Sequence, residues 1–325
     1  MPRSYIIISP CRDESEFMRR TLDSVVKQTL PPTKWLIVDD GSTDDTPKIL
    51  AEYAAQYDFI EIVTRTNRGF RKVGPGVIDA FYEGYMHIGS TEYDYLCKLD
   101  LDLDLPLRYF EILIDRMEQN PRIATCSGKP YNDINGSLIS EKRGDEMSVG
   151  MTKLFRRAAF EQIGGFVREV MWDAIDCHRC RQLGWIACSW DEPELRFVHL
   201  RIMGSSQDSV FVGRMRHGFG QYFMGTGIIY MLATSLYRML HRPFVLGGLY
   251  MFWGYLKSMF AQDHQLNDPA LRNFIRNYQW ACLIKGKTKA TQDYDARQQS
   301  LWSPERTPLP MPLSNPQEAN QLETK

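Results

Sequence analysis

The sequence predicts an α/β fold followed by an apolar helical region, and three observations support this. Residues 1–130 alternate short apolar runs with amphipathic helical patterns, which is typical of a parallel sheet covered by helices on both faces. Several of the apolar runs end directly in acidic clusters. From residue 210 to about 290 the chain changes to apolar, aromatic segments at helical spacing.

In the first region, apolar runs of four or five residues predict strands and longer periodic segments predict helices. The first helix follows an Asp13-x-x-Glu16 capping pattern, and Ser42 is expected to cap the second. The predicted strands cover residues 5–8, 35–38, 60–63, 95–99 and 123–126, and the predicted helices cover residues 17–26, 42–57, 78–88 and 107–117.

The next region is more mixed. Residues 131–150 are polar and contain glycine, which predicts loops with a short strand. Residues 152–163 and 173–183 show helical patterns that end at glycine, and residues 195–198 predict an extended segment.

Composition limits the possible classes of partner. The 325 residues are 43% hydrophobic and 24% charged, as in a globular protein with a core. Lys and Arg number 39 against 40 Asp and Glu, so no overall charge favours nucleic acid. Seven scattered cysteines indicate reduced thiols in a cytoplasmic protein, and the isolated Cys177-x-x-Cys180 pair is expected to be buried rather than to bind zinc. The N-terminus shows no signal-peptide pattern.

Three acidic clusters follow predicted strands, at residues 9–14 (SPCRDE), 39–42 (DDGS) and 100–104 (DLDLD). In an open α/β sheet, ligands bind in the crevice beyond the carboxyl ends of the strands. We therefore expect the clusters to converge on one edge, where several carboxylates beside a phosphate would require a bound cation.

Asp100 and Asp102 are spaced to share a hard divalent ion, Mg²⁺ or Mn²⁺, which phosphate oxygens would complete. Asp residues are also common in loops, so the motif alone is a weak signal. Asp39 and Asp40 offer two acceptors where a turn and cap require one, which suits donors such as a uracil imide or ribose hydroxyls.

Together with residues 24–29 (SVVKQT) and 98–102 (KLDLD), these ordered motifs resemble the family-2 inverting glycosyltransferases of GT-A fold over roughly residues 4–200. The resemblance implies a Rossmann-like mixed sheet flanked by helices. It also implies a UDP- or GDP-sugar donor, a metal-bridged diphosphate and attack by an acceptor hydroxyl with inversion at the anomeric carbon.

The resemblance also assigns roles to residues. It places Asp100 at the ribose or metal, Asp102 and His199 at the metal, and Arg201 at the leaving diphosphate. The remaining residues that it assigns to the nucleotide sugar are Pro10, Arg12, Glu14, Asp39, Asp40, Arg71 and Lys72. A structural His199 and a solvated basic loop at Arg71 and Lys72 are the alternatives.

The family's catalytic base lies in an acidic stretch after a Gly-Gly-Phe turn. Here residues 164–166 (GGF) are followed by Trp172, Asp173 and Asp176, so that Trp172 replaces the first acid. Asp173 is the predicted base and Asp176 the second candidate, and Asp173 as a simple helix cap is the alternative.

Residues 226–240 and 244–260 are apolar, aromatic and flanked by cations, yet shorter than a membrane span. They predict helices lying in a membrane surface, with internal packing or a homodimer interface as alternatives.

The predicted domains are a catalytic domain over 1–205, an apolar helical region over 206–290 and a Pro-rich disordered tail over 291–325. The predicted location is peripheral, on the inner face of the membrane, with a carbohydrate or lipid-linked acceptor. A non-catalytic nucleotide-sugar-binding or scaffolding subunit of a polysaccharide complex is the alternative function.

Overall fold

The computed structural model describes residues 3–67, 69, 74–201, 209–241 and 243–313. The strands are β1 (Tyr5–Cys11), β2 (Lys34–Asp39), β3 (Ile60–Thr64), β4 (Tyr95–Leu99), β5 (Leu103–Asp104), β6 (Ile123–Ser127), β7 (Lys129–Ile134), β8 (Ser137–Ser140), β9 (Thr152–Arg156), β10 (Ile186–Ser189) and β11 (Arg196–His199). The helices are α1 (Met18–Val26), α2 (Thr46–Ala54), α3 (Pro75–Met86), α4 (Tyr109–Gln119), α5 (Arg157–Gln162), α6 (Trp172–Gln182), α7 (Val210–Phe223), α8 (Ile228–Met239), α9 (Leu246–Ala261), α10 (Pro269–Lys285) and α11 (Lys287–Arg297).

The chain forms two compact units. The first comprises the described residues of 1–168, 186–201 and 303–325, and the second those of 169–185 and 202–302. The first unit therefore matches most of the predicted catalytic domain, but α6, which contains both candidate bases, belongs to the second.

A seven-stranded sheet in the order β10-β6-β9-β4-β1-β2-β3 forms the centre of the first unit. Its strands are parallel except β9, which runs antiparallel to β4 and β6. The strands β1, β2 and β4 are almost entirely buried, because helices cover both faces and the apolar runs have no solvated side. A smaller sheet in the order β5-β11-β7-β8 lies in the same unit. The predicted mixed α/β sheet is confirmed.

The structure corrects the predicted helix over 152–163, because its first part is strand β9 and only its second part is helical. A segment with only two apolar residues, Leu154 and Phe155, fits either structure by periodicity, and the pairing with β4 and β6 makes it a strand.

The two predicted helix caps are also wrong. The helix α1 begins at Met18 without a side-chain cap, and the Asp13 carboxylate accepts a hydrogen bond from Thr43 N at 2.8 Å. The Ser42 hydroxyl accepts from Asp13 N at 2.9 Å rather than capping α2. Both side chains therefore join two loops instead of ending helices.

The predicted disorder from residue 291 is wrong for the described part of that segment. The helix α11 and a 3-10 turn extend to residue 301. Beyond it, Gln162 donates to the carbonyl of Pro304 at 2.9 Å and Arg168 donates to that of Pro312 at 2.9 Å. These hydrogen bonds hold residues 303–313 on the first unit.

The second unit contains the helices α6 to α11. Within it α7 packs on α9, and α9 packs on α8. Among the described residues, none of these helices is both long enough and apolar enough to cross a membrane.

Candidate active site

The ends of three neighbouring strands form the site. Cys11 at the end of β1 pairs with Asp39 at the end of β2, and on the other side of β1 Ile8 pairs with Lys98 of β4. The loops that follow these strands contain the three acidic clusters. The sheet therefore brings the predicted residues to one edge, as the crevice argument requires.

The loops after β1 and β2 are joined by hydrogen bonds. Arg12 donates to the carbonyl of Asp40 at 3.0 Å and to Oδ1 of Asn67 at 2.8 Å. Gly41 has φ +76°, and a Cβ there would lie 2.5 Å from the Cα of Asn67. Only glycine allows this approach, so the turn places Asp39 and Asp40 against the segment after β3.

Asp39 and Asp40 are both buried but have different partners. The Asp39 carboxylate accepts from Ser42 N at 2.9 Å, as an ordinary turn residue does. The Asp40 carboxylate pairs with the Arg65 guanidinium at 2.8 Å. Pro10 is half-buried beside this turn at the end of β1. Asp40 is thus a buried, cation-paired acceptor.

Asp100 and Asp102 follow β4. Asp100 pairs with Lys98 Nζ, which also donates to the carbonyl of Gly150 at 3.1 Å. Burial raises the pKa of Asp100. The positive charge of Lys98 lowers this pKa, but the negative charge of Asp102 raises it, and the net shift is upward. Burial would also raise the pKa of Asp102, but the hydrogen bond and charge of His199 lower it below its usual value. Asp102 is the more acidic carboxyl of the pair.

The small sheet brings His199 to Asp102. In β11, Val198 pairs with Asp104 and His199 with Leu103, and Leu200 N donates to the carbonyl of Asp102 at 2.8 Å. Nε2 of His199 then lies 3.6 Å from Oδ2 of Asp102.

The other ring nitrogen of His199 contacts Glu141, which sequence reasoning missed. Nδ1 lies 2.6 Å from Oε1 of Glu141, whose side chain is 3% exposed. Burial lowers the pKa of His199, but hydrogen bonds to Asp102 and Glu141 outweigh it and raise the pKa to about 9. Glu141 follows β8, far from His199 in sequence, so no local pattern indicated the contact.

Arg201 joins two of the acidic clusters. Its guanidinium pairs with Glu14, lies 3.3 Å from Oδ2 of Asp102 and covers the ring of Phe17 at 5.1 Å. Glu14 is buried, and its backbone N donates to Thr46 Oγ1 at 2.9 Å.

These pairs correct one premise of the sequence argument. The carboxylates do converge, but Arg65, Lys98, His199 and Arg201 pair with them, so a bound ion is not required to make the cluster tolerable. Only the nature and position of the donor atoms can therefore indicate a metal site.

The donor set at Asp102 and His199 fits a divalent ion. An ionised carboxylate oxygen and an imidazole nitrogen lie 3.6 Å apart, and Glu141 holds the second ring nitrogen, as carboxylates do behind metal-binding histidines. Within the described residues no three His, Cys, Asp or Glu side chains form a closed metal cage. Mg²⁺ is usually bound by one or two protein carboxylates together with substrate phosphates, so Asp102 would supply the carboxylate and a diphosphate further oxygen ligands.

Both candidate bases lie on α6, in the second unit. Asp173 is half-buried in the first turn, whereas Asp176 is 2% exposed.

Two further predicted site residues, Arg71 and Lys72, lie outside the described residues. The seven cysteines, all among the described residues, form no disulfide, and Cys177 and Cys180 are buried, as expected.

Comparison with known proteins decides the family. The sequence profile of Glycosyl transferase family 2 matches residues 6–170, which is half of the chain and includes the three strand ends. The chain belongs to glycosyltransferase family 2. Poly-beta-1,6-N-acetyl-D-glucosamine synthase from Staphylococcus epidermidis is 25% identical over 173 residues, 47% of this chain. The chain spans 40% of the length of that synthase.

Solved structures of low sequence identity are similar to this chain. GalNAc-T7, solved with UDP, GalNAc and Mn²⁺, is 12% identical with a TM-score of 0.53, covering 87% of this chain and 57% of that one. Residues 1–349 of S. aureus TarS, solved with UDP-GlcNAc, are 13% identical with a TM-score of 0.49, covering 91% of each chain. The family-2 chain therefore has the GT-A fold.

Proposed function

We propose that this family-2 glycosyltransferase moves a sugar from a nucleotide-diphosphate donor to an acceptor hydroxyl with inversion, and that it needs a divalent cation. The convergence of Asp40, Asp102 and His199 at one sheet edge supports the proposal most directly. Asp40 offers a buried acceptor for the nucleoside, and the other two offer metal donors.

In this proposal the residues at each strand end bind a different part of the nucleotide sugar. Pro10, Arg12 and Glu14 line the base and ribose with Asp39 and Asp40, and Asp100 lies toward the ribose or the metal. Arg71 and Lys72 approach the nucleotide. Arg201 lies 3.3 Å from Oδ2 of Asp102, closer than His199 at 3.6 Å, and its exchange from Glu14 to a diphosphate would stabilise the leaving group.

Asp102 and His199 would hold Mg²⁺ or Mn²⁺, and Glu141 would fix the ring so that Nε2 faces the ion. A bound ion would take up charge developing on the departing nucleoside diphosphate. Because Nδ1 faces Glu141, Nε2 would be the nitrogen that binds the ion, after giving up its proton to solvent.

Asp173 is the proposed general base, and Asp176 remains the second candidate. A base must reach the acceptor hydroxyl, and the half-buried Asp173 satisfies this better than Asp176 at 2% exposure. Proton removal as the new bond forms contributes about 10²–10⁴-fold to such reactions.

For the donor, UDP- and GDP-sugars both suit the site. The named Staphylococcus relative makes a polymer of N-acetyl-glucosamine, so we place this enzyme in polysaccharide or glycolipid assembly. The acceptor is then a carbohydrate or a lipid-linked saccharide, and the enzyme works as a peripheral protein on the inner face of the membrane.

The second candidate is a non-catalytic nucleotide-sugar-binding or scaffolding subunit of a polysaccharide complex. Trp172 in place of an acid before Asp173 favours it. A turnover assay distinguishes the enzyme from the non-catalytic subunit. The full chain is incubated with a panel of UDP- and GDP-sugars, with Mn²⁺ or with EDTA, and release of the nucleoside diphosphate is measured. Metal-dependent release from one donor supports the enzyme. Thermal stabilisation by a donor without any release supports the binding subunit.

A further inference from the structure

The helical hairpin of α8 and α9 exposes many large apolar side chains. On α8 and just after it they recur at helical spacing, at Ile229, Leu232, Leu236 and Leu240. On α9 they are Leu246, Leu249, Tyr250, Trp253 and Phe260. Monomeric soluble proteins rarely leave a continuous apolar surface of this kind uncovered.

The two stripes meet at the connection between the helices. The α8 stripe ends at Leu240, which is 70% exposed, and the α9 stripe begins at Leu246. Between them Phe244 and Val245 are 59% and 53% exposed. This set of exposed side chains, called here the hairpin surface, therefore continues from one helix through the loop to the next.

The face of the hairpin opposite the exposed side chains is tightly packed, so the exposure is not a consequence of loose packing. A Cβ at Gly248 of α9 would lie 2.3 Å from the carbonyl of Ser235 on α8, and one at Gly254 would lie 2.2 Å from that of Met215 on α7. Met231, Met251 and Tyr255 fill the space between the helices. Backbone contacts this close fix α9 against both neighbours.

The charges in this part of the sequence indicate what covers the hairpin surface. Residues 209–262 contain no Asp or Glu, although the whole chain has 40 of them. The same stretch contains Arg214, Arg216, Arg238, Arg242 and Lys257. A symmetric dimer through this surface would bring like charges together, whereas anionic lipid headgroups attract them.

We propose that the hairpin surface docks on an anionic lipid bilayer, with the loop around Phe244 and Val245 and the side chain of Trp253 entering the interface. Helices of 12 and 16 residues with an apolar stripe, in a segment that contains Arg and Lys but no Asp or Glu, lie in a membrane plane rather than across it. This proposal does not depend on which sugar the enzyme transfers.

Vesicle flotation of the full chain tests the proposal. We expect binding to vesicles of phosphatidylcholine with about one-third phosphatidylglycerol, and much weaker binding to phosphatidylcholine alone. The double variant Phe244→Ser/Trp253→Ser removes two exposed side chains and should lower the partition coefficient about tenfold or more. Leu107→Ser, which is 58% exposed at the other unit, is the matched control and should bind like the parent.

Two outcomes would overturn the proposal. One is equal flotation of the parent and the double variant. The other is a dimer in sedimentation experiments that the double variant dissociates, without vesicle binding by the parent; the surface would then hold a second copy. Asp102→Asn should float normally, so loss of docking and loss of sugar transfer remain distinguishable.

Discussion

Nδ1 of His199 lies 2.6 Å from Oε1 of Glu141, while Nε2 of the same ring faces Asp102. The buried glutamate thus orients a histidine that the small sheet places at the end of β4. We infer that Glu141 is a positioning residue for the proposed metal site, because it contacts Nδ1 and not the Nε2 side that faces Asp102.

Glu141→Gln should weaken Mn²⁺ binding about 10–100-fold, as expected when the carboxylate behind a metal-binding histidine is lost. Saturating Mn²⁺ should restore most of the turnover. Titration of Mn²⁺ followed by electron paramagnetic resonance, in the presence of UDP, measures the affinity directly. Glu92→Gln, a surface carboxylate, is the control, and unchanged Mn²⁺ affinity in Glu141→Gln would exclude the positioning role.

The stability of the metal-free protein should depend on pH through His199. Its pKa is about 9 in the folded protein, because hydrogen bonds to Asp102 and Glu141 outweigh burial, against 6.5 for the free side chain. Protonation therefore stabilises the fold fully below pH 6.5, and this contribution disappears as the pH rises through about 9. The shift corresponds to about 3 kcal/mol. Denaturant unfolding in EDTA from pH 6 to 9.5 should show this loss in the parent and not in His199→Gln. Parallel curves for the two proteins would contradict it.

Gly41→Ala should destabilise the protein much more than Gly136→Ala. Both glycines have positive φ, +76° and +79°, so both substitutions carry backbone strain of about 1 kcal/mol. Only at Gly41 would the new Cβ meet a neighbour, the Cα of Asn67 at 2.5 Å, whereas Gly136 has nothing within 4 Å. We expect a further loss of about 1–3 kcal/mol and weaker nucleotide binding, since the turn carries Asp40. Thermal unfolding of the two variants side by side measures the difference, and equal melting temperatures would show that the turn adapts.

Asp173→Asn should lower kcat about 10²–10⁴-fold with little change in donor binding, because the amide cannot take the acceptor's proton. Asp176→Asn should affect stability more than turnover, since this side chain is 2% exposed. Steady-state kinetics and donor-induced thermal shifts on both variants distinguish them. The reverse pattern would make Asp176 the base.

Much of the site could be predicted because its residues follow strands directly. Short apolar runs define β1, β2 and β4, and the carboxyl ends of adjacent strands meet at one edge, so Asp40, Asp100 and Asp102 converge without further information. Partners from distant segments could not be predicted. Glu141 reaches His199 only through the pairing of β5, β7, β8 and β11.

The errors have the same origin. The segment forming β9 is buried on both faces and contains only two apolar residues, Leu154 and Phe155, so its periodicity could not separate strand from helix. Asp13 and Ser42 matched helix-cap patterns, yet each bonds to the loop that the other occupies. Local propensity was overruled by contacts between loops that only the folded sheet brings together.

Metal-dependent turnover of a nucleotide sugar by Asp102→Asn and Asp104→Asn tests the central claim most directly. Asp104 lies two residues further along and pairs with Arg20 at the surface, so it controls for loss of one charge in the same segment. We predict that Asp102→Asn still unfolds cooperatively, as the parent does, but that its Mn²⁺-dependent release of the nucleoside diphosphate falls by about 10²-fold or more. Asp104→Asn should keep the release rate of the parent. Normal Mn²⁺-dependent release by Asp102→Asn would contradict a metal role for this carboxylate.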